Sequence, residues 1–266
     1  MRIAVIGAGG WGTALASVLA VGGHRVRLWV RRPAQYEQLR QHRENSLYLP
    51  GVSLPQTLSY TTSLAEAAAE AELLVFAVPS HAMREVTFTL KPSLERSALL
   101  VSVSKGIEEE TLYTMSAVLT DVFGESSRER LAVLSGPSFA AEVARGLPTA
   151  VTVAAYVADV YTTCQRVFAS SRLRVYTTAD VTGVEVGGAV KNVIALAAGV
   201  SDGLGYGHSA RAALITRGLA EIARLAVRMG AEPQTLSGLS GMGDLVLTCT
   251  SELSRNHGVG VRLGRG

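Results

Sequence analysis

Met1-Arg2-Ile3-Ala4-Val5-Ile6-Gly7-Ala8-Gly9-Gly10-Trp11-Gly12 opens the chain, and how this stretch is read decides the fold. The run before Gly7 is short, apolar and rich in β-branched side chains, which suits a central strand buried on both faces. From residue 11 to 21 the sequence becomes Ala/Leu/Val-rich, as in a buried helix. Gly7, Gly9 and Gly12 fit the pattern G-x-G-x-x-G, with Gly10 and Trp11 between them. Alone, such a string is weak. Between a strand and a helix of one βαβ unit it marks a dinucleotide-binding turn. The first glycine permits the tight turn, the second lets backbone approach a pyrophosphate, and the third lets helix and strand pack closely. The helix N-terminus adds N–H donors and positive potential. Residues 3–23 carry no charge, but six glycines interrupt them, so a signal or membrane segment is not expected.

Working outward, residues 25–30 alternate as a second strand, and 33–43 read as a polar helix with Pro33 in its first turn. Apolar strands follow at 73–78, 98–103 and 131–134, separated by helical stretches at 64–71, 82–90 and 111–122. Residues 151–155 and 174–176 extend the sheet, with a helix at 160–168 between them. Strands alternating with helices imply parallel pairing, because each parallel connection needs a crossover. After about Asp180 the texture changes: 184–200 and 210–229 read as long helices, and no comparable strand follows. The fold class expected is therefore α/β. Residues 1–178 form a Rossmann-like, doubly wound, mostly parallel sheet, and residues 179–266 an all-helical domain.

The bulk numbers set limits. The chain has 266 residues, 48% hydrophobic and 18% charged, with net charge +3, an ordinary soluble profile. No Lys/Arg run tracks a phosphate backbone, so nucleic acid is not an expected partner. Cys164 and Cys249 lack metal-ligand spacing. This argues against a zinc site or disulfide framework, leaves no metal expected, and favours a reducing cytoplasm.

The second strand bears on the nucleotide. A fold preferring NAD usually ends that strand in Asp or Glu to hold the ribose 2′-hydroxyl. Here Val30 is followed by Arg31 and Arg32. Two guanidiniums suit a 2′-phosphate, so NADP(H) is expected to be preferred, with NAD(H) usable. The plain alternative is a pair of solvated surface arginines.

Lys191, in Gly187-Gly188-Ala189-Val190-Lys191-Asn192, lies in an apolar helical stretch. It either snorkels to the surface or holds its ammonium in a cleft as an acid or base, and the sequence leaves both open. Lys105 in Ser104-Lys105-Gly106 follows a strand, as do Pro79-Ser80-His81 and Gly136-Pro137-Ser138. Ligands in open α/β sheets sit beyond such carboxyl ends. Further on stand Gly241-Met242-Gly243-Asp244-Leu245 and Ser254-Arg255-Asn256. The latter offers hydroxyl, guanidinium, amide and backbone N–H groups at a helix start, which suits a phosphate or serves as an ordinary cap.

Together with Ser135-Gly136-Pro137-Ser138-Phe139-Ala140 and Val78-Pro79-Ser80, these motifs resemble the bacterial-type NAD(P)-dependent glycerol-3-phosphate dehydrogenase family, in order and over essentially the whole chain. The resemblance implies reduction of dihydroxyacetone phosphate to sn-glycerol 3-phosphate, a phospholipid precursor. It implies Lys191 as proton donor, with Lys105 and Asp244 completing the catalytic set. Lys105, Gly136, Ser138, Lys191, Asp244, Ser254, Arg255 and Asn256 would surround the substrate. Gly10, Trp11, Arg31, Lys105, Ala140 and Arg255 would contact the nucleotide. The partner implied is a small phosphorylated molecule, without stable membrane insertion, and a homodimer is compatible. The sequence ends at Leu263-Gly264-Arg265-Gly266, where the family continues with further helices and a glutamate-containing loop; the resemblance thus implies a shortened helical domain with exposed apolar surface. Two competing readings are a non-catalytic NADP(H)-binding protein and a 3-hydroxy acid dehydrogenase. The lysine, aspartate and arginine set disfavours the first, and Ser254-Arg255-Asn256 the second.

Overall fold

The computed structural model describes residues 1–95 and 97–266. The opening run forms β1 (Arg2–Ile6), and the glycine turn feeds α1 (Gly10–Val21), β2 (Arg25–Trp29) and α2 (Pro33–His42). A hairpin of β3 (Glu44–Asn45) and β4 (Leu49–Ser53) precedes β5 (Ser59–Thr61) and α3 (Leu64–Ala68). Next come β6 (Leu73–Phe76), α4 (Met83–Leu90), β7 (Leu99–Ser102), α5 (Met115–Phe123), β8 (Leu131–Ser135) and α6 (Ala140–Ala144). Then β9 (Thr149–Ala155), α7 (Ala158–Phe168) and β10 (Leu173–Thr178) close an eight-stranded sheet ordered β10-β9-β8-β7-β6-β1-β2-β5.

All pairs in that sheet are parallel except β8 with β9. β1 lies between β2 and β6, with Ile3 opposite Val26 on one side and Val5 opposite Val75 on the other. Its side chains alternate: Ile3 and Val5 enter one core, Ala4 and Ile6 the other. A strand with a core on each face needs apolar residues at successive positions, and β1 has them from Ile3 to Ile6. Chain order runs outward in opposite directions from β1, so a topological switch point lies at its carboxyl end, where Gly7 leaves the strand.

The remaining chain is helical: α8 (Val181–Gly203), α9 (Gly207–Arg228), α10 (Pro233–Ser237), a π-turn at Leu239–Gly243, α11 (Asp244–Thr250) and α12 (Arg255–Arg265). Asp180 starts α8 by accepting the Gly183 N–H at 2.8 Å, and its other oxygen accepts the Glu232 N–H at 2.9 Å. α8 is the one described helix long and apolar enough to cross a membrane, yet 56% of its most apolar stretch is buried within the molecule. Gly199 packs on Gly260 and Gly203 on Gly264, so α8 and α12 run in the same direction at backbone contact. Val193, Leu196, Val259 and Leu263 on these helices are exposed.

Several elements differ from the sequence expectation. β3, β4 and β5 fall in a stretch read as carrying no strand. β3 and β5 are very short and largely polar, β4 is interrupted by Pro50 and Gly51, and all three sit beyond β2 at or outside the sheet edge. The helix expected at 111–122 begins only at Met115, because Leu112 takes φ 58° and the preceding segment closes on the Ile107–Thr114 bridge. The helix expected at 64–71 stops at Ala68, with Glu70 at φ 58° soon after. α11 and α12 were legible only as motifs, and α10 was not read.

Candidate active site

Parallel strands bring their carboxyl ends to one edge, and the candidate residues gather there. At the end of β1, Gly7 adopts φ +119°, and a Cβ there would lie 2.6 Å from the Ala77 carbonyl oxygen. A Cβ at Gly12 would strike the Gly7 carbonyl, so helix and strand meet as the motif requires. Gly9, by contrast, faces open space. It caps α1 without a side-chain hydrogen bond, and no acidic residue occupies the first turn. The result is an uncovered helix N-terminus. Gly10 faces the Tyr48 carbonyl oxygen and, at 3.5 Å, the Ala140 methyl, which brings Ala140 to the turn. Trp11 is half-buried beside it.

Asn45 holds this turn, and the sequence reading missed it. Fully buried, it donates to the Ala8 carbonyl at 3.0 Å and to Thr13 Oγ1 at 2.7 Å, while Gln35 donates to the same carbonyl at 2.7 Å. Arg31 and Arg32 both lie exposed past β2. Arg32 donates to the Tyr48 hydroxyl and stacks 5.5 Å from that ring's centre, so one of the two arginines is anchored.

Two strands further along the edge, Lys105 leaves β7 and reaches across to α11. Its ammonium donates to Asp244 Oδ2 at 2.5 Å and to the Gly136 carbonyl at 3.3 Å. Lys191 approaches the same carboxylate from α8, donating to Asp244 Oδ1 and to Thr248 Oγ1 at 2.8 Å. Of the two options open in the sequence, the structure takes the cleft: Lys191 is only 8% exposed and Asp244 1%. Thr248, one helical turn beyond Asp244, donates to the Asp244 backbone carbonyl at 2.6 Å, which aims its oxygen at the lysine. Thr248 was missed, although Asp244 and Thr248 stand four apart, the spacing that puts two side chains on one helix face.

The double glycine before Lys191 has a steric cause. A Cβ at Gly188 would lie 2.8 Å from Ser135 Oγ and 3.4 Å from the Lys105 stem, so glycine opens the path by which Lys105 crosses α8. A Cβ at Gly187 would lie 2.6 Å from the Ser240 carbonyl oxygen, where the π-turn rests on α8 just before Asp244. Gly136, at φ +144°, lies against Val151, and Ser138 donates to its carbonyl at 3.1 Å.

Charge follows from this packing. Burial lowers the Lys191 pKa to about 8. The Lys105 ammonium pushes the same way, and the Asp244 carboxylate opposes both. A lysine near 8 exchanges a proton readily at neutral pH, whereas one near 10.5 does not.

Ser254, Arg255 and Asn256 form the start of α12. Ser254 accepts the His257 N–H at 3.3 Å, Asn256 is half-buried, and Arg255 is exposed with no hydrogen bond or ion pair among the described residues. The glycine register of α8 and α12, carried back one turn, sets Asn256 opposite Ala195, one turn from Lys191. His257 Nε2 contacts Asp202 Oδ2 at 2.8 Å and fixes that first turn to the end of α8. The structure thus joins Lys105, Lys191, Asp244 and Gly136 directly. It sets Ser254–Asn256 beside them and keeps Arg31 and Arg32 apart at the β2 end.

Comparison with known proteins agrees with this layout. Residues 2–160 match the profile described as NAD-dependent glycerol-3-phosphate dehydrogenase N-terminus, and residues 180–266 match that of the C-terminus. The chain belongs to the NAD-dependent glycerol-3-phosphate dehydrogenase family. It is 56% identical over 266 residues to the glycerol-3-phosphate dehydrogenase, NAD(P)+ type, of Myxococcus xanthus strain DK1622, covering all of this chain and 79% of that protein. It is 54% identical over 265 residues to the one of Geobacter sp. strain M21, with the same coverage. The crystal structure of glycerol-3-phosphate dehydrogenase from Coxiella burnetii superposes with a TM-score of 0.94 at 41% identity, covering all of this chain and 80% of that one. Membership accounts for both parts of the architecture, a Rossmann-like sheet and a helical portion that carries half of the lysine pair.

Proposed function

We propose that this chain reduces dihydroxyacetone phosphate to sn-glycerol 3-phosphate, reversibly, with NADP(H) preferred over NAD(H), and so feeds glycerophospholipid synthesis. The observation that carries the reading is the shared carboxylate: Lys105 and Lys191 meet on Asp244 at the sheet edge that also bears the glycine turn. Residues 1–178 serve the nucleotide, and residues 179–266 supply the acid and the phosphate contacts.

The residues present suit the cofactor. The uncovered N-terminus of α1 and the space over Gly9 fit a pyrophosphate, held by Gly7, Gly9, Gly10 and Gly12 with Trp11 and Ala140 flanking it. Arg31, with Arg32 braced on Tyr48, takes the 2′-phosphate of the adenosine end. Adjacent strands are about 4.8 Å apart, so β7 and its lysine stand roughly 10 Å along the edge from the turn, within a dinucleotide's reach. When bound, the nicotinamide supplies the hydride that reduces the ketone carbon.

The chain's own groups manage the charge and the proton. Lys191 donates to the C2 oxygen, while Lys105 lowers the energy of negative charge developing on that oxygen. Asp244 and Thr248 hold Lys191 in one orientation, and Gly136 and Ser138 line the opposite wall. Ser254, Arg255 and Asn256 bind the substrate phosphate at the start of α12, where guanidinium and backbone N–H groups act together. A reducing cytoplasm is supported by two buried free thiols, Cys164 and Cys249. A homodimer is supported by exposed apolar side chains such as Val193 and Leu263.

The test follows NADPH absorbance with dihydroxyacetone phosphate against unphosphorylated dihydroxyacetone, in the parent chain and in Lys191→Met. Consumption should need the phosphate and should largely vanish in the variant while NADPH still binds. A variant that keeps near-parental kcat removes Lys191 from the reaction, and equal rates on both ketones remove the phosphate from recognition.

A further inference from the structure

Between the site and the nucleotide domain lies a contact that the mechanism does not use. Glu185 projects from the first half of α8 to the start of α5, where Oε1 accepts the Ser116 backbone N–H at 2.7 Å and Oε2 accepts the Ser116 hydroxyl at 2.5 Å. The Thr114 hydroxyl lies 3.3 Å from the same Ser116 hydroxyl. α5 has no cap of its own: Thr114, in the cap position, makes no side-chain cap bond, and no acid sits in the first turn. A helix start leaves several N–H groups unpaired and favours negative charge. Here that cap comes from a residue 69 positions away on another part of the molecule.

Its position connects it to the lysines. The segment from β7 to α5 carries Lys105 and is pinned midway, where Arg84 grips Glu108 through two bonds of 2.9 and 2.8 Å. The far end of that segment is the α5 start held by Glu185. On α8, Lys191 follows Glu185 by six residues, a rise of about 9 Å. The helix bearing Lys191 therefore touches the support of Lys105 at two places, once through Asp244 and once through Glu185. Packing at Gly188 brings the two together, and these two polar ties set the spacing of the charged groups.

We propose that Glu185 is a positioning residue for the lysine pair, a cap supplied across the molecule that sets the spacing of Lys105 and Lys191. The proposal rests on the function stated above, but its main readout does not require turnover. Burial raises the Glu185 pKa above the ordinary carboxylate range, while its hydrogen bonds pull the other way. One oxygen accepts an N–H and the other faces a hydroxyl that can donate or accept, so the neutral carboxamide of Gln keeps both contacts and serves as the conservative control.

The experiment follows Lys191 titration by carbon NMR of ε-labelled lysine, assigned by loss of the signal in Lys191→Met. Glu185→Ala and Glu185→Gln are then compared with the parent chain. Without the tie, Lys105 draws away and water enters, and both changes raise the Lys191 pKa. In Glu185→Ala the titration should move up from about 8 by roughly one pH unit. The kcat for dihydroxyacetone phosphate should fall about tenfold or more, with NADPH affinity held. Glu185→Gln, which keeps the shape and one acceptor oxygen, should restore most of both. A folded Glu185→Ala whose Lys191 titrates as in the parent overturns the proposal, even if its melting temperature drops. Should that variant not fold, Ser116→Ala removes the hydroxyl partner alone and must shift Lys191 in the same direction; an unmoved titration there overturns it too. A parent chain without turnover refutes the function and leaves the titration readable.

Discussion

Replacing Asp244 by Asn is the sharpest perturbation of the site, because it removes one charge and almost no volume. The carboxylate is 1% exposed and accepts two ammoniums, Lys191 on Oδ1 and Lys105 on Oδ2 at 2.5 Å. Its attraction is what opposes burial and Lys105 in holding the Lys191 pKa at about 8. Opposite unit charges ~4 Å apart interact by about 4 kcal/mol at an effective dielectric of 20, equivalent to about 3 pKa units. Asn retains part of the hydrogen bonding, so a drop of about 2 units, to near 6, is expected. A lysine at about 8 is roughly nine-tenths protonated at pH 7, and one at 6 is roughly one-tenth. Loss of the acid form alone then costs nearly tenfold in kcat for ketone reduction at pH 7, and lost orientation adds to it. The assay is the pH profile of kcat with saturating NADPH and dihydroxyacetone phosphate. The limb where activity falls with rising pH should move from near 8 to near 6. Glycerol 3-phosphate oxidation, which needs neutral Lys191, should gain relative activity at low pH. A folded Asp244→Asn whose limb stays near 8, or moves upward, would refute the electrostatic argument.

Arg255→Ala removes an exposed guanidinium with no protein partner among the described residues, so folding should be untouched while the KM for dihydroxyacetone phosphate rises. A charge-assisted bond is worth about 1.5–3 kcal/mol, which corresponds to roughly 10- to 100-fold, and an unchanged KM would take the phosphate away from α12. Arg31→Asp sets a carboxylate where a 2′-phosphate is proposed to lie, so affinity for NADP should fall relative to NAD by at least about tenfold; parallel titrations showing no change in that ratio would dismiss the arginine pair.

Legibility in the sequence followed the range of the forces involved. β1, β6, β7 and β8 have a core on each face or lie deep in the sheet, so their apolar runs announced them. β5 has three residues at the sheet edge and owes its strand conformation to pairing with Arg27–Trp29, a tertiary fact without local pattern. The glycine turn was readable because backbone conformation forces the residue type. Lys191 was only half readable: its helical neighbours are apolar in either case, and the choice between surface and cleft depends on Asp244, 53 residues away. Asn45 and Glu185 left no signature, because each bonds a backbone group and a hydroxyl 32 to 69 residues away, which only the fold brings to them.

The sharing of one carboxylate between two ammoniums has a consequence beyond holding them in place. Were Asp244 paired with Lys191 alone, the attraction would keep that lysine strongly basic and slow to release its proton. Lys105 takes up the second oxygen and adds repulsion, and the balance falls where the proton can move near neutral pH. Two cations on one anion also leave an excess positive charge in a largely dry site. Such a charge is costly until an anion arrives, and the proposed substrate brings two: a phosphate for Arg255 and a developing negative oxygen for the lysines. Stabilisation by Lys105 then grows as the ketone oxygen gains charge, so it acts on the transition state more than on the bound ketone.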